Sequence, residues 1–133
     1  FLGGLMTIAY QSSRATGKVE KGLEVGAQLG FPTANIRLEH ELDYPYGVYT
    51  VDVCIGSLKK RGLLYLGPRK TKGLPENMVC EITILDFEGD LYDQKISFAI
   101  RDFIRGPREF SSPEELKKQI EKDVLIAKYR KLI

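Results

Sequence analysis

Thr33 and Asn35 stand two positions apart, just behind the glycine-rich run Gly26-Ala27-Gln28-Leu29-Gly30-Phe31-Pro32. Glycine lets backbone approach a ligand closely, and Pro32 biases Phe31 toward extended geometry. If the chain continues extended, Thr33 and Asn35 point to the same side. A hydroxyl and an amide oxygen beside a glycine loop suit a hard cation carrying phosphates. They equally suit a β-turn entering a strand, with both side chains bonded to local backbone. Glu81 is the second candidate, because it interrupts the apolar stretch Met78 to Phe87. An unpaired charge is costly to bury, so Glu81 either lies on an exposed face or looks into a cavity. Periodicity leaves both readings open.

Other chemistries are poorly supplied. The single histidine, His40, sits in the charged run Glu39-His40-Glu41 and reads as a solvated loop residue, which makes triad chemistry improbable. Cys54 and Cys80 lie inside apolar runs without metal-ligand spacing, and read as buried free thiols of a reducing compartment. A net charge of +2 points to neither nucleic acid nor a membrane surface. No apolar run approaches the ~20 residues of a membrane span, so a cytoplasmic protein is the default.

The elements that must position these residues are mostly strands. Thr7 to Tyr10 reads as a short strand or part of a linker, and Gly17 to Gly22 as the first strand of the domain. Arg37 to Pro45 is a polar surface loop. Gly47 to Ile55 alternates strongly, with Tyr49, Val51, Val53 and Ile55 on one face and Thr50 and Asp52 on the other. Gly56 to Gly62 reads as a hairpin loop with Lys59-Lys60-Arg61 at a solvated tip, followed by a short buried strand over Leu63 to Leu66. Gly67 to Gly73 is a basic loop. In the next strand, Met78 to Phe87, Met78, Cys80, Ile82 and Ile84 share one face, opposite Val79, Glu81, Thr83 and Leu85. Glu88-Gly89-Asp90 is a turn, and Tyr92 to Ile100 another strand. Ser112-Pro113-Glu114-Glu115 is a capping box opening a helix that runs to about Lys131, its buried stripe Leu116, Ile120, Val124 and Ala127. A chain of 133 residues is one domain by the usual prior. Hairpin-joined strands ending in one helix argue for a closed, mostly antiparallel β-barrel with the helix packed on it.

Taken together the residues resemble the riboflavin kinase family over roughly 17–128. The resemblance rests on Gly17-x-Val19-x-x-Gly22, Leu29-Gly30-Phe31-Pro32-Thr33-Ala34-Asn35-Ile36 and Gly47-Val48-Tyr49. Leu66-Gly67-x-Arg69-x-Thr71, Glu81-x-x-Ile84-x-x-Phe87 and Asp90-Leu91-Tyr92 extend it, and Arg105, Phe110, Leu116, Ile120 and Asp123 complete it. The Gly-Phe-Pro-Thr-Ala-Asn core favours the cation reading over the turn.

The fold the resemblance implies is mostly β: a six-stranded antiparallel Greek-key barrel with a C-terminal helix, over 17–133, preceded by an extension or linker at 1–16. The activity it implies is transfer of the ATP γ-phosphate to the 5′-hydroxyl of riboflavin, giving FMN. Glu81 would be the general base. Thr33 and Asn35 would hold Mg²⁺ (or Mn²⁺ or Zn²⁺) with the nucleotide, whose phosphates Gly22, Gly26, Gly30 and Pro32 would help to bind. Arg105, Phe110 and Leu116 would meet the flavin. The partners implied are riboflavin/FMN and ATP/ADP, without nucleic acid or membrane, in a monomer or in part of a larger bifunctional FAD synthetase. Three departures mark this chain: Ala27 where the family places a basic residue, Arg69-Lys70-Thr71 for Arg-Pro-Thr, and Asp93 where glycine is usual. The last position has the character of one needing positive φ, which Asp tolerates better than most residues. Ala27 and Asp93 also make a non-catalytic flavin- or nucleotide-binding module conceivable.

Overall fold

The computed structural model describes residues 14–20, 33–68 and 78–129. Six strands, β1 (Arg14–Glu20), β2 (Thr33–Leu38), β3 (Gly47–Ile55), β4 (Leu58–Pro68), β5 (Met78–Ile84) and β6 (Lys95–Arg105), precede one helix, α1 (Pro113–Tyr129). They close into a barrel in the order β1-β2-β5-β4-β3-β6, every pairing antiparallel. β3, β4 and β5 form a meander, and β6 returns to lie beside β3, which is a Greek-key connection.

Period-two alternation fills the interior. Val51, Val53, Leu64, Leu66, Ile82, Ile96 and Phe98 are almost wholly buried there. Among the described residues, an apolar layer on the outer face lies under α1, over Val48, Leu63 and Leu85, with Val124 and Ala127 supplying the helix side. The helix starts as its sequence predicts. Ser112 Oγ accepts the Glu115 amide at 3.2 Å, while Glu115 Oε2 reaches back to the Ser111 amide at 3.2 Å and its hydroxyl at 2.8 Å.

Several boundaries differ from the sequence expectation. β1 begins at Arg14, so Arg14 to Thr16 belong to the barrel wall, paired with Ala99 to Ser97. Thr7 to Tyr10 lies outside the described residues. The hairpin loop is only Gly56-Ser57: β4 already starts at Leu58 and continues to Pro68. The basic triplet is therefore strand, and Arg61 is no solvated tip. Its guanidinium lies 3.3 Å from Asp52 and donates to the Ala127 carbonyl at 2.7 Å. β5 ends at Ile84, ahead of Asp86 with φ 53°, and β6 begins at Lys95 and runs on to Arg105. Asp93 has φ 67°, the positive value expected of it, and its carboxylate pairs with Lys18.

Thr50 and Asp52, on the outer face of β3, are buried. The register of β3 against β6 shifts between Val48 and Tyr49 and again between Thr50 and Val51. Such bulges re-aim side chains. Arg101, skipped by the second shift, turns to Asp52 with Nε 2.8 Å from Oδ2, and Thr50 Oγ1 accepts the Asp102 amide at 3.0 Å. Ile104, skipped by the first, packs against the apolar layer under α1, and Arg105 remains on the outer face opposite Val48.

Candidate active site

Residues opposite one another on antiparallel strands share a face. The observed register therefore sets one row across the outer wall: Asn35 faces Glu81, Glu81 faces Tyr65, Tyr65 faces Val48 and Val48 faces Arg105. The neighbouring row places Thr33 against Thr83, and Thr83 against Leu63. Thr33 and Asn35 lie on one side of one strand, as their spacing requires, and both rows meet the helix-covered part of the barrel.

Between this wall and α1 opens a cavity of about 710 Å³. Thr33, Tyr65, Glu81 and Thr83 line its polar wall, and Val48, Leu63, Leu116 and Ile120 its apolar side. The segment after β6 closes the rim with Arg108 to Pro113, Phe110 among them. Leu116 and Ile120 are only half-buried because they look into this space, whereas Val124 and Ala127, further along the same stripe, are buried against the barrel.

Charge is distributed unevenly around the cavity. Asp123, only 2% exposed, holds Arg105 through Nη2–Oδ2 at 2.9 Å and Nε–Oδ2 at 3.1 Å, and accepts from Gln119 Nε2 at 3.0 Å. Phe110 lies between two guanidinium groups, Arg105 at 5.8 Å and Arg108 at 5.4 Å from its centroid, and Arg108 donates to Gln119 Oε1 at 2.9 Å. Arg105 is thus at the cavity with its charge already matched. Glu81 is the opposite case. It is half-buried, and among the described residues its carboxylate has neither a hydrogen-bond nor an ion-pair partner. Burial raises its pKa above the ordinary carboxylate value. The neighbouring thiol, Cys80, faces the core and is pushed up to about 12, mainly by burial, which makes it inert.

Of the residues singled out from sequence, the structure brings Glu81, Thr33, Arg105, Phe110 and Leu116 to one cavity, with Asn35 directly across β2–β5 from Glu81. Gly22, Gly26, Gly30 and Pro32 lie outside the described residues, as do Ala27 and Arg69 to Thr71. Tyr65 was missed. Its signal was its place opposite Glu81, which can be read only once the register of β4 against β5 is known.

The described residues hold no cluster of three His, Cys, Asp or Glu side chains able to bind a metal alone. The available donors are Thr33 and Asn35, two neutral oxygens beside one carboxylate. That set fits a hard cation only when phosphates and water complete its shell.

A closed barrel with a lone acid in a helix-walled pocket is the architecture of a small-molecule site rather than of an extended binding surface. Comparison with known proteins makes this specific. The riboflavin kinase family model (Flavokinase) matches residues 10–130, and the chain belongs to that family. It is 37% identical over 115 residues to the bifunctional riboflavin kinase/FMN adenylyltransferase of Escherichia coli (strain K12), covering 85% of this chain and 36% of that one. It is 40% identical over 119 residues to the RNA-binding riboflavin kinase RibR of Bacillus subtilis (strain 168), covering 88% and 51%. The chain thus spans only about a third to a half of the length of these relatives. Among solved structures, a macrolide-efflux protein from Streptococcus pneumoniae superposes with a TM-score of 0.81 at 31% identity, over 89% of this chain and 39% of that one.

Proposed function

We propose that this chain is an ATP-dependent riboflavin kinase, moving the γ-phosphoryl group of ATP to the 5′-hydroxyl of riboflavin. The observation that carries the reading is Glu81: a half-buried carboxylate without a partner among the described residues, lining a cavity together with Thr33 and directly across from Asn35. A primary alcohol is a weak nucleophile near neutral pH. Glu81 accepts its proton as the new P–O bond forms, and the raised pKa keeps the carboxylate basic enough for that task. Thr33 and Asn35 hold the divalent cation that accompanies ATP, with Mg²⁺ the preferred ion; bound there, it neutralises phosphate charge. The family resemblance assigns phosphate binding to Gly22, Gly26, Gly30 and Pro32.

On the acceptor side, the apolar surfaces of Leu116 and Ile120 and the edge of Phe110 receive the isoalloxazine ring. Arg105, fixed by Asp123, sets the position of that wall and of Phe110 rather than offering a free charge. Nucleic acid is left out of this reading, since Arg61 of the basic triplet faces Asp52 and the helix end. We place the protein in the cytoplasm, where the free thiols Cys54 and Cys80 remain reduced. We further propose that it acts as a monomer, alone or as the kinase part of a bifunctional FAD synthetase, with the domain extended from the expected 17 to include Arg14 to Thr16 of β1.

The test is direct. Protein incubated with riboflavin, ATP and Mg²⁺ should yield FMN by chromatography. Glu81→Gln should still bind riboflavin while kcat falls by about 10²–10⁴-fold, the usual loss for a general base. A wild-type protein that binds flavin without turnover is instead a binding module.

A further inference from the structure

Around the cavity most polar groups are already committed. Ser111 Oγ donates to Glu115, Ser112 Oγ accepts the Glu115 amide, Arg108 serves Gln119 and Arg105 serves Asp123. On the strand wall the situation differs. The Tyr65 hydroxyl has no hydrogen-bond partner among the described residues, although the side chain lines the cavity and packs against the apolar layer under α1. Its ring lies along β4 over Gly67, where a Cβ atom would strike the phenol, so the glycine leaves room for this rotamer. The β4–β5 register puts Tyr65 immediately beside Glu81 on the same face, and the two groups are close enough for the carboxylate to raise the phenol's pKa, after burial itself.

A donor on the cavity-lining Tyr65 thus lies over Gly67, with Glu81 on one neighbouring strand and the apolar Val48 on the other. That combination matches a flexible polyol chain, which must be held along its length if its terminal hydroxyl is to meet the base. We propose that Tyr65 is a specificity residue for the acceptor: its phenolic O–H donates to a secondary hydroxyl of the ribityl chain and so aligns the terminal hydroxyl on Glu81. The proposal rests on the riboflavin kinase reading above and adds to it the group that reads the chain rather than the ring.

The experiment compares two flavins, riboflavin and its 10-(5-hydroxypentyl) analogue, which keeps the ring and terminal hydroxyl but lacks the secondary hydroxyls. Tyr65→Phe keeps the ring and its packing. It should lower kcat/KM for riboflavin about 3–10-fold, the range of one neutral hydrogen bond, while leaving the analogue's kcat/KM and the KM for ATP unchanged. Equal losses on both flavins, or no loss on riboflavin, would overturn the proposal. Dissociation constants from quenching of flavin fluorescence give the same comparison without turnover. If wild-type protein makes no FMN, the kinase reading fails, while a Tyr65→Phe loss confined to riboflavin binding still upholds polyol recognition, and equal binding losses still refute it.

Discussion

The outer wall of the barrel carries its buried charge in two ways. Near the C-terminal end of α1, whose Ala127 carbonyl accepts from Arg61, Asp52 lies between Arg61 and Arg101, and near the rim Asp123 clasps Arg105; both acid side chains are at most 4% exposed, and both are matched. In the same row as Arg105, Glu81 is half-buried and unmatched among the described residues. Desolvation penalises all three, but only the first two recover it from an opposite charge. The pairs hold the helix and the bulged end of β6 in place. The lone acid contributes nothing comparable to folding, and it is the group proposed above to take the proton.

The contrast can be broken first at the paired sites. Asp52→Ala leaves Arg61 and Arg101 in a partly buried place without that carboxylate, and Asp123→Ala does the same to Arg105. Each should cost about 3–5 kcal/mol in urea unfolding, the range for removing one partner of a buried pair. A loss below 1 kcal/mol at either site would show that the pairs are ordinary surface contacts.

At Glu81 the sign should reverse. Its pKa is raised in the folded state, so the fold disfavours the charged form; that penalty is fully present above the folded pKa and relieved as pH falls through it toward the unfolded value. Glu81→Gln should therefore be at least as stable as wild type at pH 7, and the difference between the two should shrink as the pH is lowered. In the proposed kinase reaction the same shift should carry the acid limb of the kcat/KM profile, which reports the free enzyme, above the ordinary carboxylate range. Destabilisation of the glutamine variant at neutral pH would mean that the carboxylate has a structural partner after all.

How much of this contrast the sequence contained depends on separation along the chain. The alternation of β3 and β5 and the capping box of α1 are local, and they place the barrel and its helix correctly. The polar triplet Lys59-Lys60-Arg61 hid the first half of β4, because the partner that makes Arg61 a strand residue, Asp52, lies across the hairpin. Whether Glu81 faces solvent or a cavity depends on α1, which follows it by some thirty residues, and no period-two pattern reports that cover. The pairing of Arg105 with Asp123 is invisible for the same reason: each residue alone resembles a surface charge.

A third kind of carboxylate completes the scale. Asp93 is exposed, its bridge to Lys18 spans 3.0 Å between side chains 69% and 56% exposed, and such pairs contribute about 0–1 kcal/mol. What is unusual about Asp93 is its backbone, at φ 67°. A side chain there costs about 1–2 kcal/mol, less for Asp, whereas glycine removes that strain but has about 0.5–1 kcal/mol more chain entropy to lose on folding. Those terms and the lost bridge nearly offset one another, so Asp93→Gly should shift stability by no more than about 0.5 kcal/mol, by the same estimates. Asp93→Ala loses the bridge and keeps the strain, and should cost about 1 kcal/mol. Thermal melts of the two variants separate backbone from charge: a glycine variant as unstable as the alanine one would mean that the ion pair, not the positive φ, is what the fold needs at this turn.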